Sequence, residues 1–243
     1  MLHALLVLTV LATSTLSGIL GMAGGMILMA ILASTLSVAA AMLLHGAVQL
    51  TSNGSRAWFL RRHVRWAILP WYALGAAVVL AAFAWLLLVP PPGIVLILVG
   101  GLSLLGRLLG KSAGLDVSKP ATAVACGGVV TAAQLLAGAS GPLLDVFYLH
   151  SPLSRHEVVA SKAITQALGH VLKIVYYGGI VGVSGNLPPV FVGLCIVAAL
   201  VGTRLGTWLL DRLDDSVFRR WSGYVITGIA VWCVLQGLYL LMM

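Results

Sequence analysis

Long apolar segments alternate with short polar stretches along the whole chain. They predict ten helices, at about 2–20, 24–34, 38–60, 66–88, 93–109, 120–137, 140–150, 156–178, 188–210 and 219–241. Two of these segments, 24–34 and 140–150, are shorter than the ~20 helical residues that cross a hydrocarbon core. The period-two alternation of a membrane β-barrel is absent. Because backbone groups in lipid must pair within the segment, the pattern predicts an all-α polytopic membrane bundle.

The composition agrees with a membrane protein. Hydrophobic residues make up 60% of the 243 residues and charged residues 8%, whereas soluble domains carry about 25% charged residues. The net charge of +8 comes largely from Lys and Arg beside the apolar segments, as expected of cytoplasmic loops. The charge therefore does not predict nucleic-acid binding.

The three cysteines lie inside apolar segments, at Cys126, Cys195 and Cys233. They show no metal-ligand spacing and are typical of small buried hydrophobes. We expect no metal and no cofactor. The apolar N-terminal segment has no basic residues before it and is expected to be mature structure rather than a signal peptide.

The two halves of the chain match each other after a shift of 117 positions. The matched pairs are Gly21/Gly138, Gly24/Gly141, Ser34/Ser151, Ser37/Ser154, Gln49/Gln166 and Arg56/Lys173. The predicted organisation is a first repeat over residues 1–110, a basic linker over 111–119 and a second repeat over 120–243. Each repeat contains a glycine-broken helical hairpin and three further helices.

The basic clusters set the orientation of these repeats. Basic residues gather at 61–65, in the central linker and at 212–220, whereas 34–37, 89–93 and 178–189 have none. The positive-inside rule places the basic loops in the cytoplasm. Segments 38–60 and 156–178 then cross in opposite directions, which predicts inverted-topology repeats such as secondary transporters use.

The glycine breaks predict an anion site. A break at membrane depth leaves backbone N–H groups unpaired, so it is tolerated only when buried or beside a cavity. A helix that restarts there points its N–H groups at the cavity, and such an end favours an anion. The candidate donors are Gly24 and Gly25 in the first repeat and Ser140 and Gly141 in the second.

Two polar stripes add side chains to this site. At spacings of four, four and three residues, each stripe lies on one helical face. The first holds His45, Gln49, Asn53 and Arg56, and the second Lys162, Gln166, His170 and Lys173. Intramembrane polar groups usually face a bundle interior or a water-filled path. Snorkelling of both terminal cations, interhelical glue for the glutamines and simple packing for the histidines stay open, as does whether Asp145 pairs with a cation or takes a proton.

The chain resembles the TauE/SafE sulfite exporter family, also called TSUP. In the first half the resemblance rests on "GILGMAGGMILMAILASTLS" and "LHGAVQLTSNGSRAWFLRRHVRW". In the second half it rests on "GGVVTAAQLLAGASGPLLDVFYL" and "ASKAITQALGHVLKIVYY". Asn53, Arg56 and Lys173 fit the Asn and the later Lys or Arg of the family's polar helices. The chain departs from the pattern in a shorter glycine run, in His170 where Asn is expected, and in Pro142 where Gly is expected.

The resemblance implies movement of small sulfur-containing anions, such as sulfite or organosulfonates. The expected function is a secondary transporter, not an enzyme, in a bacterial inner membrane. Its expected substrate site comprises Gly24, Gly25, Gln49, Asn53, Arg56, Ser140, Gly141, Gln166, His170 and Lys173. The alternatives are a channel-like anion pathway and thiol chemistry on sulfur compounds. Cation transport is disfavoured by the six acidic residues. The anion, the flux direction, a coupling proton or ion and a homodimer are left open.

Overall fold

The computed structural model describes residues 1–20, 23–109, 114–182, 185–210 and 215–242, without the side chains of residues 20, 210 and 215–223. These residues form ten α-helices and no strand. The helices are α1 (Leu2–Leu20), α2 (Ala23–Thr35), α3 (Val38–Phe59), α4 (Leu69–Leu86), α5 (Pro92–Leu109), α6 (Pro120–Ala137), α7 (Gly141–Tyr148), α8 (Arg155–Ile174), α9 (Pro189–Leu210) and α10 (Asp215–Met242). Short 3₁₀ turns at Arg61–His63 and Trp66–Ile68 join α3 to α4, and α8 continues as a π-helical turn, Val175–Ile180.

The all-α prediction is confirmed, and each predicted segment corresponds to one helix. The predicted break at Gly21 lies outside the described residues, but α1 ends at Leu20 and α2 begins at Ala23. The predicted linker is described only from residue 114. Within the described part of the chain, seven helices are long and apolar enough to cross a membrane, so the protein is a multi-pass membrane protein. At eight residues, α7 is only about 12 Å long and cannot cross.

Local sequence signals explain where the long polar helices begin. The Ser37 hydroxyl accepts a hydrogen bond from the Ala40 N–H at the start of α3. Ser154 and Glu157 form a reciprocal capping box at the start of α8. Such caps satisfy backbone donors that a helix start leaves free. Since Ser37 and Ser154 are a matched pair of the sequence repeat, the match reflects a shared helix start.

The polar helices α3 and α8 pack against each other in opposite directions. The end of α3 meets the start of α8, where the Arg65 backbone N–H donates to Ser161 Oγ (3.0 Å) and the Arg65 side chain pairs with Glu157 (3.3 Å). Three turns back along α3, His45 contacts Lys173 near the other end of α8. We call the end of the bundle that carries residues 61–65 and 155–161 the basic end.

Helices α5 and α10 are also antiparallel. Gly93 lies against Gly237, and Gly100 lies against Ala230. A β-carbon on Gly93 would come within 2.8 Å of the Gly237 carbonyl oxygen, so glycine permits this close approach. The remaining packing follows the sequence repeat, because α1 packs on α9 as α6 packs on α4, and α3 packs on α9 as α8 packs on α4.

Candidate functional site

The polar stripes of α3 and α8 face one small cavity between the two halves of the chain. The cavity has a free volume of about 30 Å³ and is lined by Ser17, Gly25, Met26, His45, Gln49, Ser52, Asn53, Arg56, Gln134, Ala139, Ser140, Gly141, Gln166 and His170. Eight of the ten residues expected from the sequence are in this lining. Gly24 and Lys173 are not.

Two helix starts contribute backbone to the cavity wall. Gly25 and Met26 belong to the first turn of α2, and Gly141 begins α7. The first four N–H groups of a helix have no partner within the helix. The two starts therefore bring backbone donors and the positive ends of two helix dipoles to one cavity.

The break between α6 and α7 depends on Gly138. Its φ of +75° is left-handed, a conformation that costs a side-chain-bearing residue roughly 1–2 kcal/mol. The Gly138 N–H donates to the Gln134 carbonyl and closes α6 (2.9 Å). Ser140 stands at the N-cap of α7 but makes no side-chain cap. Its hydroxyl donates instead to Gln134 Oε1 (2.5 Å).

Arg56 brings the cavity a cation that has no acidic partner among the described residues. Its guanidinium donates one hydrogen bond, a long one of 3.3 Å to the Ser17 carbonyl oxygen. No described carboxylate lies within ion-pair distance of it. A guanidinium has five N–H donors, so most of the Arg56 donors are available to a ligand.

Three amides in the cavity also have no hydrogen-bond partner among the described residues. Gln49 and Asn53 of α3 and Gln166 of α8 line the cavity, and none of them hydrogen-bonds another described residue. The glutamines therefore do not act as hydrogen-bonded links between helices in this structure. Their NH₂ groups are neutral donors facing the same space as Arg56.

Lys173 lies behind the cavity wall and does not snorkel. It is completely buried, and its ammonium donates to the Gly138 carbonyl oxygen and to His45 Nδ1, both at 2.8 Å. Since His45 Nδ1 accepts, its Nε2 carries the proton and donates to the Gly25 carbonyl oxygen (2.9 Å). Lys173 and His45 thus link the break in one half to the restarted helix in the other.

His170 is held by Gln134, a residue that the sequence reasoning missed. The Gln134 amide nitrogen donates to His170 Nδ1 (2.6 Å) while Gln134 Oε1 accepts from Ser140. His170 Nε2 therefore carries the ring proton. Gln134, Ser17 and Ser52 line the cavity although they lie outside the expected set. Gln134 had one visible signal, a glutamine four residues before Gly138 in an apolar segment.

Gly24 lies outside the cavity lining and faces α1. A β-carbon there would overlap the Thr13 carbonyl oxygen and the Ser17 side chain of α1. A β-carbon on Gly25 would come within 2.6 Å of the Gln49 amide nitrogen. The adjacent glycines thus serve different contacts, Gly24 the packing of α2 on α1 and Gly25 the space beside the polar stripe.

Asp145 pairs with a cation. Its carboxylate accepts a hydrogen bond from the Lys162 ammonium and forms an ion pair with it. Lys162 lies on the polar stripe of α8, and Asp145 lies on α7.

The comparisons with known proteins give one match. The family model described as "Sulfite exporter TauE/SafE" matches residues 6–233, which is nearly the whole chain. No curated protein and no solved structure matches it.

Proposed function

Because the chain belongs to the TauE/SafE sulfite exporter family, we propose that it is a secondary transporter that binds a small sulfur-containing anion in the cavity between α3 and α8. The resemblance inferred from the glycine breaks and polar helices is thereby confirmed, and the family assigns the chain to membrane anion export. The substrate, the site residues and the mechanism are what we propose beyond the family assignment.

The observation that carries the binding site is the Arg56 guanidinium, which has no carboxylate partner among the described residues, beside three amides that bond to none of them. Buried or half-buried polar groups are normally hydrogen-bonded, and charged donors bind oxyanions with short, strong bonds. Arg56, Gln49, Asn53 and Gln166 all line the cavity with free donors. An oxyanion is the ligand that satisfies this set, whereas a cation would meet donors and a fixed positive charge.

The size of the cavity supports a compact ion. A cavity needs roughly 10–15 Å³ of free volume to hold one water molecule. The free volume of about 30 Å³ therefore accommodates a group of a few atoms. Sulfite fits this description better than an organosulfonate with a long carbon chain. Gly24 and Lys173 act on such an ion indirectly, Gly24 by seating α2 and Lys173 through its charge.

Two inverted repeats, over residues 1–110 and 120–243, are the proposed architecture. Equivalent helices related by an axis in the membrane plane must be antiparallel, while an axis along the membrane normal would make them parallel. The antiparallel pairs α3/α8 and α5/α10 support the first arrangement. Transport then proceeds by rocking one repeat against the other around the cavity.

In an inner membrane with the basic end in the cytoplasm, export is electrically downhill. The membrane potential supplies about 2.3 kcal/mol per charge per 100 mV. Thiol chemistry is disfavoured because Cys126, Cys195 and Cys233 are all completely buried, so an attacking sulfur has no access to substrate.

Binding and counterflow together test the proposal. Purified protein should be stabilised against thermal unfolding by sulfite more than by sulfate, taurine or sulfoacetate at equal ionic strength, because a ligand that binds the folded state raises its stability. In proteoliposomes, internal sulfite should accelerate uptake of labelled external sulfite, which alternating access predicts. Saturable binding without counterflow would favour a channel-like pathway, and no response to any sulfur anion would contradict the assigned substrate class.

A further inference from the structure

The Asp145–Lys162 ion pair lies beside the cavity on the side of the basic end. Lys162 precedes Gln166 by one helical turn on the same face of α8, about 6 Å along the axis. Gln166 lines the cavity together with Arg56. Ser161, the neighbour of Lys162, accepts a hydrogen bond from Arg65 at the basic end. Lys162 therefore stands between the cavity and that end of the bundle.

The charges around this position do not balance. Arg56 and Lys162 supply two cations, and Asp145 supplies the one carboxylate paired with either of them among the described residues. A lysine held one turn from the cavity is costly to bury without an anion. Asp145 supplies that anion when no substrate is present.

The exposure of the two partners indicates which one can leave. The Asp145 side chain is 43% exposed, and the Lys162 side chain is 19% exposed. The carboxylate can exchange its partner for water with little movement of the helix. The ammonium cannot, because most of its side chain is enclosed by the bundle.

We propose that Lys162 and Arg56 form an approach site for the anion at the basic end, and that Asp145 occupies Lys162 until the incoming anion displaces it. This inference rests on the proposed transport function. Asp145 acts as a tethered competitor of the substrate. Its release returns the carboxylate to water while the anion takes its place on Lys162, so the Lys162 ammonium has an anionic partner at every stage.

The approach site belongs to one half of the sequence repeat. The positions equivalent to Lys162 and Asp145 in the first half hold His45 and Leu28. His45 is engaged by Lys173 and by Gly25, and leucine carries no charge. Competition by a tethered carboxylate is therefore expected for anions that approach from the basic end and not for those that approach from the opposite end.

Removing the Asp145 carboxylate should strengthen anion binding at the approach site. In proteoliposomes of known orientation, we expect Asp145→Asn to lower the half-saturating sulfite concentration at the basic end by about 1.5- to 5-fold, the range of a partly exposed ion pair. Lys162→Met should raise that concentration, and neither change should alter the value measured from the opposite end. Combining the two substitutions should abolish the gain from Asp145→Asn.

Asp116→Asn is the matched control. Asp116 lies in the linker, outside the cavity lining, and hydrogen bonds from the hydroxyl and backbone of Ser118 lower its pKa. The control therefore removes one carboxylate charge that neither lines the cavity nor pairs with Lys162. Asp145→Ser, assayed beside thermal unfolding curves, replaces Asp145→Asn if that variant does not fold.

If the half-saturating sulfite concentration of Asp145→Asn is unchanged or raised, the inference is wrong. The proposed function still stands in that case, because the wild type transports sulfite. An equal response to Asp116→Asn, or equal shifts at both ends, overturns the inference as well. Absence of saturable sulfite movement in the wild type overturns both.

Discussion

Replacing Arg56 by glutamine removes the cavity's charged donor while keeping a side chain that can hydrogen-bond. Arg56 is held by one 3.3 Å bond to the Ser17 carbonyl oxygen, so the loss of protein contacts is small. We expect the folded protein to lose little stability. The effect should fall on the bound anion.

The size of that effect follows from the donors that Arg56 leaves free. Four of the five guanidinium N–H groups are not used by the described residues, which suffices for a fork that grips two oxygens of one anion. A lost charge-assisted hydrogen bond is worth about 1.5–3 kcal/mol, so Arg56→Gln should weaken sulfite binding roughly 10- to 150-fold. Arg56→Lys keeps the charge but loses the fork, and a loss of about 2- to 10-fold, one ordinary hydrogen bond, is expected.

Titration calorimetry of sulfite into purified protein, at two salt concentrations, measures these differences. Arg204→Gln is the control, because it makes the same chemical change on a guanidinium that stacks on the Phe59 ring (4.8 Å) outside the cavity lining. Affinity of Arg56→Gln within twofold of wild type would refute the ligand role of Arg56. An equal loss of sulfite affinity in Arg204→Gln would show that the effect comes from the net charge of the protein and not from a contact made by Arg56.

Three further outcomes are expected. Gly24→Ala should destabilise the fold by about 1–3 kcal/mol by overpacking α1, which thermal unfolding measures. Gly25→Ala should mainly weaken sulfite binding by displacing Gln49. The reverse pattern would contradict the assigned contacts. A cysteine-free variant should keep its sulfite flux, and loss of flux in a folded sample would favour thiol chemistry; the residues replaced are Cys126, Cys195 and Cys233. In that background Thr35→Cys should react with a membrane-impermeant thiol reagent from the periplasm and Leu153→Cys from the cytoplasm, and reaction of both from one side would exclude inverted repeats.

The helices could be predicted from the sequence because the membrane leaves few alternatives. Since β-barrel alternation is absent, a backbone in lipid must form helices. Long apolar runs therefore predict the helices, and short polar stretches predict the connections between them. The polar α3 was predicted from its apolar background and stripe, and Ser37 begins it as a capping residue. The π-helical end of α8, Val175–Ile180, was not predicted, because its residues are equally compatible with a continuing α-helix.

The position of the cavity was predictable for a different reason. Residues spaced by three and four positions lie on one helical face whatever the helix packs against. The sequence therefore predicts that Gln49, Asn53 and Arg56 lie together. Gln134 could not be assigned in the same way. It contributes because α6 passes beside α8, and helix neighbours are set by packing between distant segments that a single sequence does not report.

The repeat predicted matching positions for Arg56 and Lys173 but not their different roles. Each role is set by what the other half of the chain presents at that point. Arg56 meets a single carbonyl and stays available to a ligand, whereas Lys173 meets His45 Nδ1 and the Gly138 carbonyl and has no described carboxylate partner. Neutral partners satisfy the Lys173 donors without cancelling its charge. In the proposed binding mode, Lys173 favours the anion through its charge from behind the cavity wall, while Arg56 offers it direct hydrogen bonds.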